Sequence, residues 1–281
     1  MTIRPSQPIP ARGHLFHRTS MLVGKPAMTA LSSTRVAVIG VGGVGSWAAE
    51  ALVRSGVEHL LLVDSDTICS TNVNRQIQAT ALNVGKSKVE ELRRRLLEIN
   101  PHAHIDLHHG AYNEHTASKF NLTAYDYVLD AIDSLKNKVL LIKNCIEAEV
   151  TIYASMGAAA KMDPTLVRVA PLSKTKICPL ARMVRKRLSR LGVPQKLLCV
   201  YSEEMPLEPA GESLCGTGQC ACTHASHPAS SSPGNSDDDD NHPDWCALKK
   251  QINGTVVHVT AVFGLTLASM VIRDVTSKSR A

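Results

Sequence analysis

Aromatic residues make up only 4% of this 281-residue chain, while 44% of it is hydrophobic. A core short of rings must be filled by Val, Leu, Ile and Ala, the packing of a parallel sheet covered on both faces. No Asp or Glu precedes Glu50, none lies between Pro164 and Ser202, and no Lys or Arg lies between Leu197 and Leu248. Signal-peptide patterning is missing, so the eight cysteines (69, 145, 178, 199, 215, 220, 222 and 246) read as reduced thiols in a cytoplasm-like compartment. The acid-free start keeps an organelle-targeting presequence open. Paired C-x-x-C motifs are also lacking, which removes the usual structural zinc site. Cys215, Cys220, Cys222, His224 and His227 therefore read as part of a disordered segment. One apolar run, 256–272, approaches membrane-spanning length but carries His258, Thr260, Thr266 and Ser269. It reads as a buried C-terminal helix, with no firm membrane association.

What is present begins at Val36-Ala37-Val38-Ile39, an apolar strand that breaks into Gly40-Val41-Gly42-Gly43-Val44-Gly45 and then feeds a helix. Glycines 40, 42 and 45 keep the G-x-G-x-x-G spacing, in which a tight turn, a close backbone approach and a helix packed on a strand bring N–H groups to a phosphate. Leu60-Leu61-Leu62-Val63-Asp64 reads as the next strand, and Asp64 falls about 20 residues past the glycines, where a ribose hydroxyl is bound. The chain is expected to bind a nucleotide.

The alternation continues as strand 35–40, helix 44–55, strand 59–64, helix 85–99, strand 103–108, a short helix near 114–120, strand 125–130, helix 135–149 and strand 150–155, with a further strand at 166–170. Successive βαβ units of this kind make a parallel sheet. Residues 1–14, with three prolines, read as a flexible arm. Residues 15–208 plus 247–276 form the expected single domain, and 209–246 an acidic insert that cannot pack a core. Nine basic residues between 168 and 196 include Arg182, Arg185, Lys186 and Arg190, three and four apart on an expected helix. That face is a candidate surface for the phosphate backbone of a nucleic acid.

A dehydrogenase using a nicotinamide is the commonest owner of the glycine motif. Three features argue against it: a second acid at Asp66, the polar block Asn72-Val73-Asn74-Arg75-Gln76 followed by Lys86 and Lys88, and Asp130-Ala131-Ile132-Asp133 at the end of a strand. Cations around a nucleotide with a further carboxylate suit a triphosphate and a metal ion. Gln76 reads as an orienting group. Lys88 is favoured over Lys86, which reads as a solvated lysine at a helix start.

Taken in order with Val84-Gly85-Lys86-Ser87-Lys88 and Ile99-Asn100-Pro101, these motifs resemble the adenylating enzymes that activate ubiquitin-like and sulfur-carrier proteins. Phe16-His17-Arg18-Thr19, Gly157 to Thr165, the basic helix from Pro179, Leu198 to Glu204 and Val262-Phe263-Gly264-Leu265 are most similar to the tRNA threonylcarbamoyladenosine dehydratases within that superfamily. The resemblance implies a Rossmann-like, mostly parallel α/β sheet with helices on both faces (the ThiF-like fold) and a C-terminal helix. It implies ATP on Gly40, Gly42, Gly43 and Gly45, with the ribose on Asp64. It implies phosphates on Asn72, Arg75 and Lys88, Mg2+ on Asp133, and Arg75, Lys88 and Asp133 as the catalytic group. Arg18 matches an arginine that reaches the triphosphate from a second subunit, hence a homodimer. The implied reaction closes a ring on the modified adenosine through an adenylated carboxylate. An activator of a carrier protein, with a sulfur-relay partner, is the competing reading, and a non-catalytic nucleotide scaffold a third. Cys199 and Cys246 are the candidate thiols, while Cys69 and Cys145 read as packing residues.

Overall fold

The computed structural model describes residues 10–211 and 253–280. Three short helices, α1 (Arg12–Leu15), α2 (His17–Val23) and α3 (Lys25–Ser33), lead into strand β1 (Arg35–Ile39). Then come α4 (Gly45–Arg54), β2 (His59–Asp64), α5 (Lys88–Ile99), β3 (His104–His109), β4 (Tyr127–Asp130), α6 (Leu135–Glu147) and β5 (Thr151–Ser155). The chain continues through β6 (Val167–Pro171), α7 (Pro179–Arg190), β7 (Leu198–Ser202) and α8 (Val257–Lys278). Among the described residues the strands form one sheet in the order β3-β2-β1-β4-β5-β7-β6. All neighbours are parallel except β6 and β7.

Strand residues alternate between two apolar layers, as the two-residue period of a strand dictates. Val36, Val38, Leu60, Leu62 and Leu129 join Leu52, Leu92, Phe263 and Val271 on the face covered by α4, α5 and α8. Ala37, Ile39, Leu61, Val63 and Val128 join Ile142, Val184 and Leu188 on the face covered by α6 and α7. The strand order reverses between β1 and β4, and the carboxyl ends of β1, β2 and β4 surround that switch point, the place where open α/β sheets bind ligands.

Helix α8 is long and apolar enough to cross a membrane by length and composition. Its buried residues Val259, Phe263, Leu267, Val271 and Val275 recur every four residues and seat it in the core. Gly264 brings it against α4, where a Cβ would strike the Val44 carbonyl oxygen and Trp47.

Several expectations are corrected. Arg12–Leu15 is helical, and the Arg12 guanidinium pairs with buried Glu58 at 3.0 Å, so the expected arm is anchored from residue 12. No α-helix forms near 114–120. There the Asn113 carboxamide oxygen accepts from the N–H groups of His115 and Thr116, and such local bonds compete with helix, leaving two 3-10 turns at Ala117–Lys119 and Leu122–Ala124. The helix expected over 85–99 starts only at Lys88, because Gly85 has φ +88° and Ser87 forms an extended bridge with Thr67. Leu198–Ser202, which carries no clear period-2 pattern, adds a strand between β5 and β6. The expected insert lies outside the described residues from 212 onward, as does Cys246.

Candidate nucleotide site

The turn after β1 exists because Gly40 adopts φ +88° with its backbone against Ala131, where a Cβ would lie 2.8 Å from the Ala131 carbonyl oxygen. Gly45 packs so closely that a Cβ would collide with the Gly40 carbonyl oxygen. Gly42 and Gly43 differ. A Cβ on Gly42 would meet nothing nearer than the Gln76 amide nitrogen at 3.8 Å, and one on Gly43 would press on the Arg75 stem at 3.3 Å. At Gly42 the missing side chain leaves the backbone open to a ligand, while at Gly43 it makes room for the Arg75 side chain beside the cradle. Helix α4 begins at Gly45 with no side-chain cap, so its positive end faces this cradle.

Asp64 ends β2. Its carboxylate accepts from the Val41 N–H at 2.8 Å and the Asp66 N–H at 2.9 Å, which fixes it beside the glycine turn. Burial raises its pKa, with Lys88 opposing. Lys88 opens α5 and points inward. Its ammonium donates to Asp66 at 2.6 Å and lies 3.9 Å from Asp64. Burial disfavours the Lys88 charge, but Asp64, Asp66 and then Asp133 outweigh it and raise its pKa. Asp133 therefore shares the field of this cluster. Lys86, by contrast, is 61% exposed and pairs with Glu91 at 3.7 Å.

The polar block wraps the other side. Asn72 is buried, and its side-chain oxygen accepts from the Cys69 N–H at 3.0 Å, capping its own turn. Arg75 donates to the Thr71 carbonyl at 2.8 Å and to the Asn74 carboxamide at 3.0 Å, while Trp47 of α4 donates to the Arg75 carbonyl at 2.9 Å. Gln78 donates to the Val41 carbonyl at 2.8 Å. The buried Gln78 Oε1 and Ser87 Oγ have no hydrogen-bond partner among the described residues. Orphaned polar atoms flanking an open glycine cradle fit a polar ligand such as a nucleotide. Among the described residues no three His, Cys, Asp or Glu side chains could hold a metal by themselves. One carboxylate with phosphate oxygens is nevertheless the ordinary setting for Mg2+, so the donor set around Asp133 fits that ion once a nucleotide is bound.

Beneath the site, the side chains of Lys138 and Asp130 are both fully buried and paired at 2.7 Å. Lys138 also donates to the Ser155 carbonyl at 2.9 Å, and Asp130 accepts from the Ile132 N–H at 3.0 Å. The pair staples the ends of β4 and β5 under the turn that carries Asp133. No spacing rule picks out Lys138, although its position one turn into α6 puts it over β4.

Arg18 does not join this cluster. It is exposed on α2, two residues after Phe16, and Phe16 lies against Gly56 beyond the far end of α4. A helix of 10 residues spans about 15 Å, more than an arginine reaches. Cys199 is buried in β7 with its thiol directed to the Ala170 carbonyl, and burial pushes it up to about 12. A thiol so raised offers almost no thiolate, so this candidate thiol packs in the core. Cys145 is buried and raised to about 12 in the same way. Cys246 lies outside the described residues.

On α7 the face Arg182, Met183, Lys186, Arg187 and Arg190 lines an open groove. Arg185 turns away from it. Its guanidinium donates to the hydroxyl of Thr175 and, at 3.1 Å, to the Thr175 carbonyl, tying the helix to the preceding turn. Arg187, not singled out by its spacing, takes its place on the exposed face.

The sequence profile of the ThiF family matches residues 16–280. The tRNA threonylcarbamoyladenosine dehydratase of Bacillus subtilis is 42% identical over 194 residues, which cover 69% of this chain and 76% of that protein. The Escherichia coli enzyme of the same name is 37% identical over 204 residues, covering 70% of this chain and 76% of its own. The crystal structure of the E. coli tRNA N6-threonylcarbamoyladenosine dehydratase in complex with ATP superposes with a TM-score of 0.78 at 30% identity, covering 95% of this chain and 96% of that one. A complex of the same enzyme with AMP superposes equally well, at 0.78.

Proposed function

The chain belongs to the ThiF family, and from that premise we propose that it is an ATP-dependent tRNA threonylcarbamoyladenosine dehydratase. One observation carries the reading. A glycine cradle with the Arg75 stem against Gly43, the Asp64 carboxylate, and Lys88 in the field of Asp64, Asp66 and Asp133 surround the switch point of a sheet that matches the ATP-bound E. coli dehydratase.

The substrate carboxylate attacks the α-phosphorus of ATP, and the bond to the pyrophosphate oxygen breaks. Arg75 and Lys88 lie on the phosphate side and stabilise the charge that grows on the leaving group. Asp64 holds the ribose, and Asn72 lends its remaining amide hydrogens to the phosphates. Asp133 would hold Mg2+ together with phosphate oxygens, an ion that offsets the negative charge of the triphosphate. A nucleophile already tethered within the side chain of the modified adenosine then attacks the activated carbonyl. AMP departs with the carboxylate oxygen, and the ring closes. An internal attacker needs no protein nucleophile, which agrees with the inert thiol of Cys199.

The exposed Arg182, Lys186, Arg187 and Arg190 supply the tRNA backbone contact. The homodimer places Arg18 over the triphosphate of the opposite protomer. The cytoplasm is the expected compartment. Exchange of labelled pyrophosphate into ATP distinguishes this reading from carrier-protein activation. Exchange that depends on threonylcarbamoylated tRNA supports it, and exchange driven only by a small carrier protein overturns it.

A further inference from the structure

Arg75 is not held by its own segment alone. Its guanidinium donates at 3.0 Å to the carboxamide oxygen of Asn74, and the nitrogen of that amide donates at 2.9 Å to the carbonyl of Thr255, 181 positions along the chain. The amide can point only one way, because a guanidinium only donates and a carbonyl only accepts. Asn74 is therefore a bridge with both ends used.

The strand of chain it reaches is itself tied down. The Gly254 carbonyl accepts from the Ala160 N–H at 2.8 Å, and the Ala160 carbonyl accepts from the Leu207 N–H at 2.9 Å. Ala160 sits at φ +58°, a conformation an alanine keeps only where its surroundings impose it. One turn of chain further on, the Glu204 carboxylate accepts from the N–H groups of Met162 and Asp163, and His258 bonds the Met162 carbonyl at 2.8 Å. The same loop begins at Gly157, where a Cβ would stand 3.7 Å from the Cys178 sulfur and 3.8 Å from Leu180, at the start of the basic helix α7. Hydrogen bonds thus link loop 157–163, through Gly254 and the adjoining Thr255, to Asn74 and Arg75, and the loop starts beside the N-terminal end of α7.

We propose that Asn74 is a positioning residue: its amide aligns the Arg75 guanidinium for adenylation by anchoring it to the Gly254–Thr255 segment, and so to the loop beneath the RNA-binding helix. The inference rests on the dehydratase reading given above. Through Asn74 the Arg75 guanidinium is referred to the Thr255 carbonyl, a point outside its own turn.

Two substitutions separate the two ends of the bridge. Asn74→Asp keeps an acceptor for Arg75 but replaces the donor to Thr255 with a repelling oxygen, whereas Asn74→Ala removes both. Steady-state kinetics with ATP and threonylcarbamoylated tRNA, on full-length protein whose melting temperature is measured in parallel, read the result. N74D lowers kcat about tenfold with KM for ATP within about twofold of wild type, and N74A lowers kcat and raises KM about fivefold or more. A purely structural role would lower the melting temperature and leave kcat and KM of the folded fraction unchanged, which overturns the proposal. Wild-type kinetics in N74D overturn it even if N74A fails to fold. An inert wild-type protein would instead count against the dehydratase reading itself.

Discussion

At Lys88 an ammonium that burial disfavours is kept charged by Asp66 at 2.6 Å and Asp64 at 3.9 Å. The entry of a triphosphate adds negative charge to a place already arranged for a cation, so this residue acts where charge grows. Lys88→Met is expected to lower kcat/KM for ATP by about a hundredfold or more, while Lys86→Ala, at an exposed lysine, changes it by less than about twofold. Titration of initial rates against ATP checks both. Cys199→Ala is expected to leave turnover within about twofold, since the thiol is inert, and to cost about 1 kcal/mol of stability from lost packing. A large loss of turnover at unchanged stability would return Cys199 to the reaction. Asp64 and Asp133 were legible as acids at or just past a strand end, whereas the roles of Arg75 and Lys88 came from the resemblance of their motifs. Arg185 was misplaced because spacing alone does not say which edge of a helix face bends inward. At 100° per residue it lies nearer to buried Ala181 than Lys186 does. Asn74 was invisible as a bridge because its partner is 181 residues away.

Elements are held together by one buried contact and one half-buried contact. The Lys138–Asp130 pair joins α6 to the end of β4, and removing one member leaves the other charge unpaired in the core. Lys138→Met should cost about 3–5 kcal/mol, and adding Asp130→Asn should restore a good part of it. Denaturant melts of the single and double variants measure this; additive losses would contradict it. At the other end of the sheet, Asp274 on α8 accepts from the Tyr127 hydroxyl at 2.6 Å and pairs with Lys278 at 2.8 Å. Partial burial opposes the charge, but the bonds from Lys278 and Tyr127 prevail and lower the pKa. A lowered folded value means that the stabilisation is present at neutral pH and fades on acidification below about pH 4. Asp274→Asn should flatten that acid limb in thermal melts recorded across pH. The strands and long helices were legible from apolar runs and stop signals such as Asn100-Pro101. The edge pairing of β6 with β7 was not, because it depends on which long-range partner a short strand finds, and α1 and α2 carry too few apolar residues to announce a helix.

For the whole molecule the basic stretch of the sequence becomes one exposed helix face. The exposed face of α7 presents Arg182, Lys186, Arg187 and Arg190 on the opposite side of the sheet from α8. Replacing all four by Gln should weaken tRNA binding and reduce the slope of log affinity against log salt by roughly 3. Arg185→Gln, in contrast, should act on stability, since its guanidinium serves the Thr175 turn. An unchanged salt slope would move the RNA surface elsewhere. The direct test of the account is to incubate the purified protein with ATP, Mg2+ and threonylcarbamoylated tRNA, then weigh the released nucleosides by mass spectrometry while counting AMP. The account predicts a modified adenosine lighter by one water, with one AMP formed for each ring closed. An unchanged nucleoside, or AMP formed without regard to the RNA, would contradict it.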